Sequence, residues 1–597
     1  MGTQRFSVFI IPGYVLATLV ISFALRATNL PQIVGTALLL SGIILGSLQL
    51  VRDTVTSLLN KSFALDYIAL LAIITGLVTG NFFVAGVIVL MMAGGNTLED
   101  YAQEQAKRSL TALSERIPHS VVMVGKDADE TIPIQSVPIG TTIKVRKGEV
   151  IPLDGTLMHQ NALIDESSLT GEAYPVEKDL GELLRSGTIN MGNVITIKTT
   201  VRDENSTYRK IIELVEKAQS EKTPFLQLAD KLSGWFTVAS LLIAGVAYFI
   251  SHDIERVLAV LVIATPCPLI LATPIALIGG MNVAARDRII FKRLSALEIL
   301  SQVRAMIFDK TGTVTFGVPE LTKITIENSE YTEKKVLSLA AGLEKNSLHP
   351  FAKTIIKAAD SREVKPQHFD AISEIIGKGI SGKITDDTYT IEKLDNSERI
   401  VLKKNKKSLA FFEFSDVIKP ESKDVLKQLT DEGLALALFT GDTKERTLQL
   451  LPNLPENITV QADLSPTDKQ AGIVQYKKKY QQVAMVGDGI NDAPALAQAD
   501  VGIAFSHDEH TAASEAADVI LLGGTFATVL HARKIARRTL FIAKQSMYVG
   551  VALSLIGMSI AVTGKLPPIA GAVTQEVIDV AVILNALRAA FGEKNNA

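Results

Sequence analysis

The sequence is short of cysteine, tryptophan and charge. Its 597 residues contain one cysteine, Cys267, and one tryptophan, and only 21% are Asp, Glu, Lys or Arg. A single thiol excludes an intramolecular disulfide framework and a Cys-x-x-Cys metal-binding appendage. The formal net charge of −3 gives no basic excess, so we expect no nucleic-acid partner. The apolar stretch from Ser7 to Leu25 lacks a small-residue cleavage site, so we expect no cleavable signal peptide.

Apolar residues are abundant instead. They make up 47% of the chain, and the mean hydropathy is +0.26, which is typical of a membrane protein with soluble parts. A helix needs roughly 20 apolar residues to cross a bilayer. Basic residues cluster beside the long polar segments, which predicts a multi-pass cell-membrane protein with those segments in the cytoplasm. Eight apolar stretches reach or approach that length, near residues 6–26, 31–51, 63–79, 81–98, 234–251, 256–281, 541–563 and 568–590.

Two long polar segments separate the apolar stretches. Residues 110–225 hold short alternating runs between Gly, Pro and Asp turns, which predicts a small β-rich domain. Residues 285–535 alternate apolar runs with helical patterns, which predicts an α/β domain. Within it, residues 322–417 are interpreted as an insertion, because the apolar runs at 435–440 and 483–487 resume the earlier pattern.

The pentapeptide 309–313, Asp-Lys-Thr-Gly-Thr, directly follows a short apolar run. This pattern predicts a buried strand ending in the carboxylate of Asp309, at the edge of a parallel sheet where ligands bind. Such a carboxylate can attack ATP and become an aspartyl phosphate, with Thr311 as a second catalytic residue. The alternative is a surface turn, since these are also common turn residues. The motifs that follow favour catalysis.

Two further motifs offer groups that could bind a phosphate. Thr440 and Asp442 follow an apolar run and could hold phosphate oxygens through hydroxyl and backbone N–H groups. Lys469 offers an ammonium that could neutralise the transferred phosphoryl group. Each motif alone is a weak signal, but their order along the chain makes the set a strong one.

Acidic residues predict a metal site and a hydrolytic group. Asp488 and Asp492, which follow another apolar run, are suited together with Asp309 to Mg²⁺, because Mg²⁺ prefers oxygen ligands beside a phosphate. Glu172 ends the acidic loop 165–172 in the β-rich segment and could position the water that hydrolyses the aspartyl phosphate. The alternative for this loop is a solvated turn.

The apolar stretches also carry groups that could bind a transported ion. Two prolines flank Cys267 and would each remove a helix hydrogen bond beside the thiol, although a lone cysteine is otherwise a small buried apolar residue. Carboxylates in the last stretch are costly unless they face a polar interior. One thiolate with several oxygens suits Ni²⁺, Co²⁺, Fe²⁺ or Zn²⁺ better than Cu⁺. The candidate ligands are Cys267, Gln575, Glu576 and Asp579, with Ser546 and Met547 as weaker candidates.

With these motifs the sequence resembles the P-type ATPases, and within them the heavy-metal-transporting branch. Two apolar stretches ahead of a core of six, and a His-Pro pair in the insertion, separate this branch from calcium and sodium pumps. The resemblance implies ATP and Mg²⁺ as cofactors, Asp309 as the phosphorylated aspartate and Glu172 in the dephosphorylation loop. Taken alone, His349 would be an ordinary packed or surface histidine, but in the insertion it is expected to stack on adenine. The residues expected to bind nucleotide are Glu344, His349, Pro350, Gly377 and Gly379.

The resemblance also implies the fold. We expect a multi-domain membrane protein in which an eight-helix transmembrane bundle carries three soluble domains. These are a β-rich actuator domain, an α/β phosphorylation domain like that of haloacid dehalogenases, and an inserted α+β nucleotide-binding domain. The predicted divisions are helices 1–4 at 1–109, the actuator at 110–225, helices 5–6 at 226–284, the phosphorylation domain at 285–321 and 418–535, the nucleotide-binding domain at 322–417, and helices 7–8 at 536–597.

The chain departs from the commonest motifs of this branch. It has Thr-Pro-Cys at 265–267 where copper pumps have Cys-Pro-Cys, and Gln-Glu-Val at 575–577 where zinc and cobalt pumps usually have His-Glu-Gly. The combination resembles a minor subgroup linked to nickel and iron. We therefore expect a monomeric, ATP-driven exporter of a divalent transition metal ion (Ni, Co, Fe or Zn), surrounded by membrane lipids. The alternatives are cadmium or copper as cargo, another cargo such as K⁺ or a lipid, and a membrane-tethered phosphatase using the same phosphoaspartate chemistry.

Overall fold

The structure, a computed structural model, divides the chain into two compact units. The first comprises Met1–Gln302, Asp518–Gly523 and His531–Ala597, and the second comprises Val303–Ala517 and Gly524–Leu530. The residues that the structure describes are 2–26, 32–59, 66–95, 97, 118, 120–125, 129–158, 161–165, 176–207, 209, 223–264, 267–328, 330–345, 347, 350–375, 379–385, 387–393, 399–451, 455, 458–487, 492–506, 516–523 and 525–592.

Apolar helices form the N-terminal part of the first unit. They pack closely through small residues: a Cβ on Gly86 would lie 2.9 Å from Leu39 Cδ1 and 3.1 Å from Leu19 Cδ2. Close approach at small residues is typical of helices that pack within a membrane. The helices are α1 (Gly2–Arg26), α2 (Gln32–Leu59), α3 (Asp66–Val78) and α4 (Phe82–Gly95), and α2 bends by 43° after Leu48.

A β-rich domain follows, as the sequence predicts. Side chains alternate between core and surface along its strands, so that Ile195 and Ile197 of one strand are buried. The described strands form two antiparallel sheets in the orders β2-β1-β3-β9-β4-β7 and β6-β5-β8. Their bounds are β1 Ser120–Met123, β2 Glu130–Pro133, β3 Thr142–Val145, β4 Gly155–Leu157, β5 Ala162–Asp165, β6 Val176–Lys178, β7 Leu183–Leu184, β8 Ile189–Asn190 and β9 Ile195–Thr199.

The next helices include a divided apolar span. Where the sequence predicts a stretch near 256–281, one helix ends at Ile263 and another begins at Cys267, and Pro266 lies outside the described residues. Glu298 accepts a hydrogen bond from Phe225 N at 2.9 Å, which ties the start of one helix to another. The elements are α5 (Pro224–Ser251), α6 (Ile254–Ile263), α7 (Cys267–Arg286), β10 (Ile289–Phe291) and α8 (Leu294–Gln302).

The second unit begins with strand β11 (Ala305–Asp309) and then inserts an antiparallel sheet. The described strands of the insertion have the order β12-β17-β16-β15-β14-β13. Buried Leu337, Ile355, Leu402 and Phe412 belong to one core between this sheet and two helices. The elements are β12 (Thr315–Ile326), α9 (Glu333–Glu344), α10 (Pro350–Ser361), β13 (Ala371–Ile375), β14 (Gly379–Ile384), β15 (Asp387–Lys393), β16 (Arg399–Lys404) and β17 (Lys407–Ile418).

The chain then returns to the parallel sheet of the α/β domain. Within the second unit the strands run in the order β21-β20-β11-β18-β19, each parallel to its neighbours. Every residue of β11 and β20 is buried, as expected for central parallel strands. The elements are α11 (Ser422–Asp431), β18 (Ala435–Phe439), α12 (Lys444–Leu450), β19 (Ile458–Gln461), α13 (Pro466–Tyr480), β20 (Val483–Gly487), α14 (Ala493–Gln498) and β21 (Val501–Ser506).

The C-terminal part supplies β22 (Val519–Leu522), which pairs with β10, and the long helices α15 (Ala527–Val562) and α16 (Pro568–Leu587). Among the described residues, α5, α15 and α16 are long and apolar enough to cross a membrane, and the bent α2 would make a fourth such span. Shorter apolar helices lie at Ile10–Leu25, Tyr67–Val78 and Phe82–Gly95. The count of eight spans therefore remains a prediction.

Packing around Gly342 in α9 generates a stability prediction. A Cβ there would overlap the backbone carbonyl of Gln367 and lie 2.9 Å from Phe369 Cε2. Although alanine favours a helix by about 1 kcal/mol over glycine, we expect Gly342→Ala to destabilise the inserted sheet by about 1–3 kcal/mol through overpacking. Faster hydrogen exchange of the β16 and β17 amides would report this. Gly234→Ala in α5, where a Cβ meets nothing within 4 Å, is the control. Unchanged exchange in Gly342→Ala would contradict the packing.

Candidate active site

The carboxyl ends of neighbouring parallel strands meet at Asp309. Asp309 is the last residue of β11, which lies between β18 and β20. The register pairs Asp309 with Phe439, the last residue of β18, so the loop that starts at Thr440 begins beside the carboxylate. On the other side, β20 ends at Gly487. This edge is where open parallel sheets bind ligands.

The ammonium of Lys469 contacts two buried carboxylates. Its Nζ donates to Asp309 Oδ1 at 2.5 Å and to Asp492 Oδ1 at 2.7 Å. Lys469 stands in the first turn of α13, which a capping box between Ser465 and Asp468 fixes. Burial disfavours the ammonium, but the two carboxylates outweigh burial and raise the pKa of Lys469 above its ordinary value. The ammonium is therefore charged at neutral pH.

Asp309 and Asp492 supply oxygens of the kind that Mg²⁺ prefers. Both side chains are buried, and one oxygen of each contacts the same ammonium. Gly487 leaves room for this arrangement, because a Cβ there would lie 2.9 Å from Asp492 Oδ2. The buried hydroxyl of Thr313 has no hydrogen-bond partner among the residues that the structure describes. This donor set fits a hard cation beside a phosphate, and the other predicted ligand, Asp488, lies outside the described residues.

The remaining predicted phosphate-binding residues lie near Asp309. Thr440 is buried, and its hydroxyl accepts a hydrogen bond from Asp442 N at 3.1 Å. The Asp442 carboxylate pairs with Lys310, the residue after Asp309. Thr311 is exposed. The structure thus brings Asp309 at the end of β11, the loop after β18 and Lys469 of α13 to one edge of the sheet.

The loop after Asp309, residues 310–314, is held by a residue that the sequence analysis missed. Lys310 Nζ donates to Asp416 Oδ2 at 2.8 Å, and both side chains are more than nine-tenths buried. Burial disfavours the Lys310 ammonium, but Asp416 and Asp442 outweigh it and raise the pKa of Lys310 above its ordinary value. Asp416 stands in β17, 106 residues from Lys310. No local motif could have linked the two.

Two further side chains, both in the segment that follows β17, also bind the loop 310–314. Lys419 Nζ donates to Gly312 O at 3.2 Å, and Ser422 Oγ donates to Val314 O at 2.8 Å. Gly312 has a φ of +72°, in the left-handed region that favours glycine, so the loop makes a tight turn. In the sequence, Lys419 is only a charged residue after a predicted strand, and such residues are more often solvated at the surface. We call Asp416, Lys419 and Ser422 the return clamp.

Several other predicted residues are described only in part. Glu344 is buried at the end of α9. Gly379 starts β14 with a φ of +127°, and a Cβ there would overlap the Ile391 carbonyl oxygen, so this position needs glycine. The residues outside the described part of the chain are Glu172, His349, Gly377 and Asp488, together with the side chains of Cys267 and Pro350.

In the first unit, α16 carries polar side chains into the helix bundle. Gln575 is fully buried; its Nε2 donates to Asp579 Oδ1 at 2.8 Å, and its Oε1 accepts from Ser554 Oγ at 3.2 Å. Glu576 is half-buried, at the edge of the face that Gln575 and Asp579 share. Among the described residues no three His, Cys, Asp or Glu side chains form a metal-binding group. Sequence reasoning missed Ser554.

The two weaker membrane candidates are also buried in the first unit. Met547 is fully buried in α15. The hydroxyl of Ser546 accepts a hydrogen bond from Asn585 Nδ2 of α16 at 2.8 Å. Ser546 therefore already links the two long C-terminal helices in this structure, and its part in ion binding remains a prediction.

Family models match both soluble segments. The model of haloacid dehalogenase-like hydrolases matches residues 303–500, which include Asp309, Lys469 and Asp492. The model of the P-type ATPase actuator domain matches residues 115–216, which include the β-rich domain.

Curated proteins match nearly the whole chain. A probable cadmium-transporting ATPase of Alkalihalophilus pseudofirmus is 30% identical over 96% of this chain and 84% of its own length. A copper-exporting P-type ATPase of Legionella pneumophila is 31% identical over 86% of this chain and 75% of its own length. The chain belongs to the heavy-metal-transporting P-type ATPases. This membrane ATPase therefore hydrolyses ATP and uses Mg²⁺.

A solved structure supports the same fold for the ATPase. The crystal structure of a zinc-transporting PIB-type ATPase in the E2.Pi state superimposes with a TM-score of 0.64 and 26% identity, covering 98% of this chain and 99% of the other. The predicted combination of actuator domain, haloacid dehalogenase-like domain and membrane helices is thereby confirmed.

Replacing Lys469 tests the paired carboxylates. In Lys469→Met, Asp309 and Asp492 lose their shared ammonium, and the site loses a positive charge at the transferred phosphoryl group. We expect kcat for ATP hydrolysis to fall by about 100- to 1,000-fold, as when a preorganised charged donor is removed. Lys477→Met is the control, because Lys477 lies on the same helix but pairs with Asp500 at 2.9 Å, away from Asp309. Normal turnover in Lys469→Met would contradict the assignment.

Replacing Asp416 tests the return clamp. In Asp416→Asn the side chain keeps its shape but loses the charge that pairs with Lys310, so the loop that follows Asp309 loosens. We expect ATP hydrolysis to slow by about 10- to 100-fold, the effect of a displacement of about 1 Å at a reacting group. Asp387→Asn is the matched control, because Asp387 forms a surface pair with Lys404 at 2.6 Å in the same unit. Equal rates of ATP hydrolysis in the two variants would contradict a role for Asp416 in holding the loop.

Proposed function

We propose that this heavy-metal ATPase exports a divalent transition metal ion, with nickel, cobalt, iron or zinc as the cargo, by phosphorylating Asp309. The observation that carries the proposal is the buried contact of Lys469 with Asp309 and Asp492 at the carboxyl edge of the parallel sheet. A carboxylate that is buried and next to a cation is suited to attack a phosphoryl group.

The chemistry assigned to Asp309 is a transfer in two steps. A carboxylate oxygen of Asp309 forms a bond to the γ-phosphorus of ATP while the bond to the ADP oxygen breaks. Lys469 neutralises charge on the transferred group, and Thr440 holds its oxygens together with the backbone N–H groups of that loop. Glu172 then positions a water that attacks the phosphorus, which releases inorganic phosphate and restores the Asp309 carboxylate.

Cofactor binding is divided between two parts of the second unit. Asp309, Asp488 and Asp492 would hold Mg²⁺, which shields the phosphate oxygens from the attacking carboxylate. Glu344, His349, Pro350, Gly377 and Gly379 would hold the nucleotide.

The cargo site is assigned to the membrane bundle. Cys267, Gln575, Glu576 and Asp579 would bind the ion, with Ser546 and Met547 beside them. The buried Gln575 and Asp579 pair supports this assignment, because oxygen ligands in a membrane interior are costly unless they serve an ion or each other. One thiolate among oxygens favours a divalent ion of intermediate softness.

Cadmium or copper is the second candidate cargo. Relatives support it by name, since the similar proteins include cadmium-transporting and copper-exporting ATPases. The Thr-Pro-Cys motif, with one thiol, argues against copper, because Cu⁺ favours several soft ligands.

Metal-stimulated ATP hydrolysis tests the cargo. We expect Ni²⁺, Co²⁺, Fe²⁺ or Zn²⁺ to raise the rate of the purified ATPase above that with Cd²⁺ or Cu⁺, and Cys267→Ser and Asp579→Asn each to abolish this stimulation. The Asp309→Asn variant should be inactive with every metal. Ser559→Ala is the control, because Ser559 lies exposed on α15 and bonds only its own helix.

Each part of this experiment has a result that would contradict the proposal. If only Cu⁺ stimulated ATP hydrolysis, the proposed divalent cargo would be wrong. Full stimulation in Cys267→Ser and Asp579→Asn would remove the proposed ligands. Hydrolysis of small phosphoesters without any metal dependence would favour a phosphatase.

A further inference from the structure

A cavity of about 560 Å³ lies within the second unit, between α10 and the strands β12 and β17. Its volume is in the range of small-molecule sites, roughly 300–1,000 Å³. None of the predicted phosphorylation or nucleotide-binding residues is among its described lining residues. The strand order sets β12 at one edge of the inserted sheet and β13, the partner of Gly379, at the other. The cavity is therefore separate from the predicted nucleotide glycines.

One wall of the cavity is cationic. Lys353 and Lys357 of α10 are exposed and stand four residues apart, so their ammonium groups project from one helical face. Like charges at this spacing disfavour a helix. Neither lysine makes a hydrogen bond or ion pair with any residue that the structure describes. Arg362, which pairs with Glu333, adds a third cation, and Glu320 is the acidic residue among the described lining.

The opposite wall is apolar. Phe316 of β12 lines the cavity with 53% of its surface exposed, and Leu321 of the same strand and Val417 of β17 lie beside it. An exposed aromatic ring can stack on a flat ligand, and the cations opposite can pair with an acidic group on that ligand. The Thr354 hydroxyl donates to Pro319 O at 2.8 Å and fixes α10 against β12 at this site.

We propose that this cavity binds a small aromatic anion, a flat ring that carries a phosphate or carboxylate group. The ring would lie against Phe316, Leu321 and Val417, and the acidic group would lie between Lys353 and Lys357. Neutral aromatic compounds would lack the charge contact, and inorganic phosphate would lack the apolar one. An aromatic anion would contact both the cationic wall and the apolar wall.

The cavity adjoins the loop that follows Asp309. Phe316 follows Thr315, whose hydroxyl lies 3.5 Å from Asp416 Oδ2, and Val417 follows Asp416. A ligand on both strands therefore touches the neighbours of the return clamp. Binding at this cavity is expected to change the rate of ATP hydrolysis as well, whichever metal is the cargo.

Binding of 1-naphthyl phosphate to the full-length Asp309→Asn protein in detergent tests the proposal by isothermal titration. The inactive variant prevents turnover, so the result does not depend on the phosphorylation proposal. We expect one bound equivalent, with 1-naphthol and inorganic phosphate each at least about tenfold weaker, since each lacks one of the two contacts. Lys353→Ala with Lys357→Ala should weaken binding about tenfold or more. Ala358→Phe should abolish binding by filling the cavity.

The matched control is Lys423→Ala with Lys427→Ala. These exposed lysines of α11 have the same spacing and lie outside the cavity, so the affinity should not change. Three results would overturn the proposal: equal affinity in the Lys353 and Lys357 double variant, unchanged binding in Ala358→Phe, or complete displacement of the probe by ADP at the concentration that saturates the nucleotide site.

Discussion

The contact of one buried ammonium with two buried carboxylates is the interaction on which the catalytic unit depends. Asp309 and Asp492 would repel each other and lose hydration if they shared this site without a cation. Lys469 pairs with both carboxylates and so joins three elements, because Asp309 ends β11, Lys469 stands in the first turn of α13, and Asp492 precedes α14. Removing Lys469 would leave two unpaired carboxylates in the interior, so both acids depend on this one ammonium.

The inserted sheet is joined to this charged centre by direct contacts. Its first strand begins immediately after the loop 310–314. Its last strand places Asp416 on Lys310, and Lys419, just after that strand, binds the Gly312 carbonyl. A change in the sheet therefore reaches Asp309 through a buried salt bridge and a tight turn, without a long relay of side chains. Coupling between sites needs such an element with contacts to both, and the return clamp supplies it.

The sequence predicted the parts of the structure that follow from local pattern. Strand-end motifs at Asp309, Thr440, Lys469 and Asp492 converge because carboxyl ends of parallel strands share one edge. Asp416 was missed because its partner is distant in the chain and burial of a charge leaves no local signature. Glu576 was predicted as an ion ligand together with Gln575 and Asp579, and it is half-buried at the edge of the face that those two share, because adjacent helical residues differ by about 100°.

The central claim is that Asp309 itself accepts phosphate from ATP. The most direct measurement is to incubate the purified ATPase with ATP carrying ³²P at the γ-position, quench it in acid and map the label by peptide mass spectrometry. The account predicts an acid-stable label on the peptide that contains Asp309, released by hydroxylamine as expected for an acyl phosphate. A label on another residue, or a label that resists hydroxylamine, would contradict it.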